Sequence, residues 1–301
     1  MAEFEQPKII LFSQHGMINN NEAMGTLAHS LALPHFHVVA PVLGYANTLF
    51  QIEPLIQAVE QSADQALKQY SDIPARIIAT SLGGVIWVEV LSRHPEWWHR
   101  IQSLVLLGSP IGGADLARIV DPFGWGVGIA KHLGKNRRCL AENITAMIPT
   151  MVIAGNTTGG SDGTVTIEST KLKHAHFVCL DGVTHHQIQR HPVVVKVIQE
   201  FWSQPRIPLP ASENSLISEL IEHFRRIQGI TDASERGLSH AKPVFTFRDG
   251  TTVRAWTNPV GVKHIFVANA CGKCEYAGFV GWVHSAGLNQ AIDRVSEFSH
   301  R

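Results

Sequence analysis

Between residues 8 and 204 the chain alternates short, continuously apolar runs with longer stretches of helical period. The runs are Lys8–Phe12, Phe36–Ala40, Arg76–Thr80, Ser103–Leu107, Thr150–Ala154 and His176–Leu180. Unbroken apolarity, as opposed to strict alternation, marks strands covered on both faces. Between the second and third runs Ile52, Leu55, Ile56, Val59, Ala63, Ala66, Leu67 and Tyr70 recur at helical spacing, which predicts an amphipathic helix. Leu82 to Leu91 is apolar almost all round and predicts a helix packed deep against a sheet. Val194, Val197, Ile198, Phe201 and Trp202 form a last amphipathic face. Strand and helix in regular alternation predict an α/β fold: an open, mostly parallel six-stranded sheet with helices on both faces.

The pattern stops at Gln204–Ser212, where Pro205, Pro208 and Pro210 read as a linker. The expected division is a first domain over 1–205, a linker over 206–212 and a small α+β domain over 213–301. In the last, Leu216, Leu220, Ile221, Phe224 and Ile227 predict a helix. Pro243–Arg248 and Thr252–Thr257 flank Asp249-Gly250 as a β-hairpin, Lys263–Asn269 predicts a third strand and Leu288–Phe298 a closing helix. This is an αβββα unit of about 90 residues, enough to fold alone.

Composition acts mainly by exclusion. With 301 residues, 45% hydrophobic and 17% charged, the chain is too apolar for disorder and long enough for a sizeable core. Lys+Arg 25 balance Asp+Glu 25, so no net field draws nucleic acid, and none is expected as a partner. Four cysteines are too few for a disulfide-built scaffold. Met1-Ala2-Glu3-Phe4-Glu5 lacks the basic-then-apolar profile of a signal peptide. No run approaches the roughly 18 apolar residues of a membrane span, so no integral membrane segment and a cytoplasmic location are expected. There is no P-loop, dinucleotide fingerprint or HExxH, and no metal or organic cofactor is expected. Cys271-Gly272-Lys273-Cys274 is a single CxxC that a zinc site would have to complete with residues such as His264 and His284; free thiols in a turn are the expectation.

The segment that carries chemistry is Ile77-Ile78-Ala79-Thr80-Ser81-Leu82-Gly83-Gly84. Ser81 falls between a buried strand and a helix, with small residues two before and two after. A sharp turn there lifts the hydroxyl above the sheet and tolerates only small neighbours, because the helix must approach closely. The helix N-terminus also aims backbone N–H groups at the same point, that of Leu82 foremost. The ordinary alternative for such a serine is a helix N-cap.

This segment resembles the α/β-hydrolase superfamily, specifically its small lipase and esterase members, over residues 8–204 and not beyond. The family's usual turn is G-x-S-x-G; here Ala79 replaces the first glycine. By that resemblance Ser81 is the nucleophile. His15-Gly16-Met17 is similar to the family's HG oxyanion loop, which implies that Met17 N–H joins Leu82 N–H in the oxyanion hole. Ser109-Pro110-Ile111-Gly112-Gly113 is similar to its S/T-P-x-x-G segment. Ser161-Asp162-Gly163-Thr164-Val165 resembles the D-G-x-V segment that carries the catalytic acid, implying Asp162; Asp181 is the alternative. The base falls at His185 or His186, of which His185, with Ile188 three residues on, matches the family pattern. The order Ser…Asp…His is the one this fold uses.

Residues 112–150 read either as a mobile lid over an acyl-binding cleft, with Trp125 lining that cleft, or as a buried connecting helix. Pro41–Phe50, with Tyr45, is expected to border a substrate cleft that His15 and Gly16 also line. What the resemblance implies is a serine hydrolase acting on a small ester or lipid-like substrate, with thioester hydrolysis or acyl transfer open to the same triad. The rival expectation is a non-catalytic hydrolase-fold module whose C-terminal domain binds a protein partner or a second copy.

Overall fold

The six apolar runs become six parallel strands. In the computed structural model the described residues are 7–16, 21–43, 51–113, 133–157, 160–209 and 215–300. The strands are β1 (Ile9–Gln14), β2 (Phe36–Val39), β3 (Ala75–Thr80), β4 (Ile101–Leu107), β5 (Thr150–Asn156) and β6 (Ala175–Asp181), in the order β2-β1-β3-β4-β5-β6. Position in the sheet accounts for burial. β1, β3, β4 and β5 are almost wholly buried, whereas the edge strands β2 and β6 are half covered.

Because successive side chains on a strand point to opposite faces, each inner strand feeds two separate cores. Ile10 and Phe12, Ile77 and Ala79, and Leu104 and Leu106 face one side. There they meet α2 (Glu53–Gln69), α3 (Leu82–Arg93) and α4 (Arg138–Thr145). Leu11, Ile78, Val105, Leu107 and Ile153 face the other side. They pack on α1 (Asn21–Leu31) and, after the short helix α5 (Ile167–Thr170), on α6 (Pro192–Ser203). The all-round apolarity of α3 is explained: its residues from Leu82 to Val88 are all buried. Gly83 and Gly84 let it sit so close, since a Cβ on Gly83 would lie 2.7 Å from the carbonyl oxygens of both Gln14 and His15.

The C-terminal region departs from the expected αβββα order. After α7 (Leu216–Arg225) it forms a five-stranded antiparallel sheet, β7-β11-β10-β9-β8. Its strands are β7 (Ile230–Asp232), β8 (Lys242–Thr246), β9 (Thr252–Thr257), β10 (Lys263–Ala268) and β11 (Cys274–Val280), closed by α8 (Ser285–Asp293). The expected hairpin is present, with Gly250 at φ 87° in its turn. The two strands beyond the expected three have separate causes. β7 is only three residues long, below the length at which alternation registers, and β11 begins at Cys274, inside the pair read as a turn. Of the linker, residues 210–212 lie outside the described residues, as does 114–132 of the expected insertion. Among the described residues no helix is long and apolar enough to cross a membrane.

Candidate active site

Strand register assembles the site at the carboxyl ends of β1, β3, β4 and β5. Gln14 pairs with Ala79 and Thr80 with Leu107, so His15-Gly16, Ser81 and Gly108 leave the sheet side by side. Ser81 is a non-glycine residue at φ 53°, ψ −124°, a conformation that costs on the order of 1–3 kcal/mol for a side chain with a Cβ. The turn is held by the Ser81 amide donating to Leu107 O at 2.8 Å and by Thr80 Oγ1 donating to the same oxygen at 3.2 Å. Ser81 makes no side-chain capping bond to α3, so its hydroxyl is not used as an N-cap.

That hydroxyl instead meets an imidazole. His185 Nε2 lies 3.0 Å from Ser81 Oγ, and His185 Nδ1 lies 2.7 Å from Asp162 Oδ2. His185 and Asp162 are both buried, Ser81 half-buried. The second carboxylate oxygen, Oδ1, accepts from the amides of Thr164 at 2.9 Å and Val165 at 2.7 Å, and the His185 amide donates to Asp162 O at 3.0 Å. Gly155 makes room for this loop, since a Cβ there would lie 3.0 Å from that of Asp162 and overlap Val183 O. His186 is exposed, its ring centroid 5.8 Å from that of His185. Asp181 is exposed too and accepts from Asn156 Nδ2 at 2.8 Å. Neither alternative is brought to the serine.

Gly16 packs directly on the turn: a Cβ on it would fall 2.8 Å from Ser81 Cβ and 3.5 Å from Leu82 N. As the first helical residue, Leu82 has an N–H without an intrahelical acceptor, pointing from the α3 N-terminus. His15 braces this approach. The Leu43 amide donates to His15 Nε2 at 3.2 Å, which leaves Nδ1–H to donate to Gly16 O at 2.7 Å. Burial lowers the pKa of His15, the bond to Gly16 offsetting only part of that, and the neutral ring is the form these two bonds require. Met17, Tyr45 and Trp125 lie outside the described residues.

One contact had no sequence signal. Gly108, at φ 53°, lies against the imidazole: a Cβ there would come within 3.1 Å of His185 Nδ1 and 3.2 Å of Cε1. A glycine after a buried strand is too common to single out from sequence. Away from this site, burial pushes the Cys274 thiol up to about 12, poorly suited to the thiolate chemistry of a redox pair. His264 stacks among Trp256, Phe266 and Phe279 at the end of β10 opposite Ala268, the strand partner of Cys274. Among the described residues no group of three or more His, Cys, Asp or Glu is placed to hold a metal.

No family model and no curated protein matches the sequence. Among solved structures, the propeptide form of the Bacillus licheniformis lipase BlEst2 is similar over 91% of this chain and 71% of its own, at 13% identity and a TM-score of 0.50. Est1E from Butyrivibrio proteoclasticus is similar over 67% of this chain and 89% of its own, at 13% identity and a TM-score of 0.49. Likeness at this identity speaks to fold alone, and the first of these agrees with the parallel sheet flanked by helices. The chain has the α/β-hydrolase fold.

Proposed function

We propose that the protein is a serine hydrolase that cleaves carboxylic esters, of small or lipid-like substrates, through an acyl-enzyme. The observation that carries the reading is the single imidazole within hydrogen-bond reach of both the strained Ser81 hydroxyl and the buried Asp162 carboxylate.

Asp162 accepts a hydrogen bond from His185 Nδ1–H and so fixes the tautomer whose Nε2 lone pair faces Ser81 Oγ. As Oγ attacks the ester carbonyl, its proton passes to Nε2, and Asp162 stabilises the imidazolium. The carbonyl oxygen becomes an oxyanion held by Leu82 N–H and, by the family resemblance, Met17 N–H; each such donor contributes about 3–4 kcal/mol. The tetrahedral intermediate collapses, His185 gives its proton to the leaving alcohol, and Ser81 is left acylated. Water, deprotonated by the same ring, then releases the acid and regenerates the serine. A thioester enters by the same steps, and an alcohol replaces water if the acyl group is transferred.

Hydrolysis of p-nitrophenyl esters of graded chain length tests the reading. Turnover is expected for at least one of them and is expected to fall in Ser81→Ala by on the order of 10⁶ in kcat. Undiminished turnover by Ser81→Ala, or none by the wild type on any member, overturns it.

A further inference from the structure

The C-terminal sheet is joined to the active-site sheet by a buried polar hub that the proposed mechanism does not use. Arg138, on α4, and Asp232, on β7, are both buried and form an ion pair, Nη2 to Oδ2. Tyr276, on β11, donates its phenol to Asp232 Oδ1 at 3.0 Å; burial, and then the neighbouring carboxylate, push its pKa well above the ordinary value, so it stays a donor. A buried pair of this kind is held by the further hydrogen bonds its groups make: both terminal nitrogens of Arg138 donate to carbonyls of the segment that follows the Asp162 loop, while Nε has no partner among the described residues.

Two connections lead from the hub to the triad. The first runs through Gly112, whose missing side chain is the space that Asp232 Oδ2 and Arg138 Nη2 occupy. The Asp232 amide donates to Gly112 O at 3.2 Å, and the Gly112 amide donates to Ser169 O at 2.7 Å. Four residues upstream is Gly108, which lies against the His185 ring. The second runs through α5. Arg138 Nη2 donates to Glu168 O at 2.8 Å and Nη1 donates to Lys171 O. α5 is the direct continuation of the Asp162 loop: Ser161 bridges Thr166, and the Ile167 amide donates to Gly160 O at 2.8 Å. Arg225, from α7, adds a contact to Glu168 at 3.3 Å.

We propose that Arg138 and Asp232 are positioning residues, through which the C-terminal sheet sets the segment behind His185 and the loop carrying Asp162. The C-terminal region is then a working part of the active site. This rests on the hydrolase reading above.

The test uses the full chain and two graded variants, Asp232→Asn and Tyr276→Phe. Asp232→Asn keeps the shape of the hub and drops its charge; Tyr276→Phe removes one hydrogen bond and leaves the packing. Lys263→Met, which removes a surface hydrogen bond to Asn289 within the C-terminal region, is the control. Each is compared, while folded by circular dichroism, for its second-order rate of labelling by a fluorophosphonate and for kcat and KM on a p-nitrophenyl ester.

Displacing a catalytic group by about 1 Å can lower rates a hundredfold, so Asp232→Asn is expected to slow labelling and kcat together by roughly tenfold to a hundredfold. Tyr276→Phe is expected to fall by a smaller factor, roughly twofold to tenfold. KM is expected within about twofold of wild type in both, and Lys263→Met at the wild-type rate. A merely structural role would lower thermal stability and leave the rates of folded protein unchanged; that result overturns the proposal. If Asp232→Asn does not fold, Tyr276→Phe decides by the same criterion. A wild-type chain that resists the probe and turns over no ester sinks the hydrolase reading and this proposal with it, whereas labelled wild type with equally reactive variants sinks this proposal alone.

Discussion

The conformation of Ser81 makes a prediction in which stability and activity move in opposite directions. At φ 53°, ψ −124° the Cβ of any L-residue crowds the backbone, and glycine alone adopts the region freely. Replacing Ser81 by alanine keeps that strain; replacing it by glycine releases it. The release is about 1–3 kcal/mol, opposed by about 0.4–1 kcal/mol of extra freedom that glycine gives the unfolded chain. The glycine variant should therefore be more stable than the alanine variant by about 1.3 kcal/mol at the midpoints of those two ranges, and by about 2.6 kcal/mol at most. In thermal denaturation that is about 2–4 °C per kcal/mol for a chain of this size. Urea unfolding of the two variants side by side measures the gap, and ester turnover should be lost in both. An alanine variant as stable as the glycine variant would refute the claim that the fold holds this residue under strain.

Two further outcomes follow from the loops around the turn. Gly16→Ala places a methyl 2.8 Å from Ser81 Cβ and 3.1 Å from Thr80 O. It should push the His15-Gly16 segment off the turn, lowering kcat/KM by about a hundredfold and stability by about 1–3 kcal/mol; wild-type rates in this variant would contradict the packing described. His15 gives a pH dependence whose sign is determined by its burial. Its folded pKa lies below the ordinary 6.5, so the unfolded chain binds the proton more readily and folding is opposed as pH falls. The stabilising state is fully present above about pH 6.5 and is lost as pH drops from there through the lowered folded value. Urea midpoints should decline from pH 7 to pH 5 less steeply in His15→Gln than in wild type, and equal slopes would count against the neutral brace.

The parts of this molecule legible in sequence are those whose cause is local or periodic. Strands covered by helices write continuous apolar runs, so β1 to β6 are legible at nearly their observed limits even where the edge strands β2 and β6 are only half covered, and the closeness of α3 to the sheet is readable in Gly83 and Gly84. The turn at Ser81 was readable for the same reason, since strand, small neighbours and helix are contiguous. The preference for His185 over His186 rests on the family pattern, an apolar residue three positions on, here Ile188; that residue opens a 3-10 turn, and the helix follows from Pro192. The rest depends on contacts between distant residues. Arg138 and Asp232 are 94 positions apart, and a lone arginine and a lone aspartate carry no pattern until the chain folds. The bracing of Gly16 by His15 requires Leu43, supplied by the segment after another strand. β7 and β11 carry no such pattern, because one is three residues long and the other starts within a cysteine pair.

The central claim is that one imidazole activates Ser81, and covalent capture measures it most directly. The chain is treated with a fluorophosphonate, digested, and the adduct located by tandem mass spectrometry. A single adduct on Ser81 is predicted, absent from Ser81→Ala and strongly slowed in His185→Ala but not in His186→Ala. No adduct on the wild-type chain, or an adduct at Ser81 whose rate is indifferent to His185, would contradict the account.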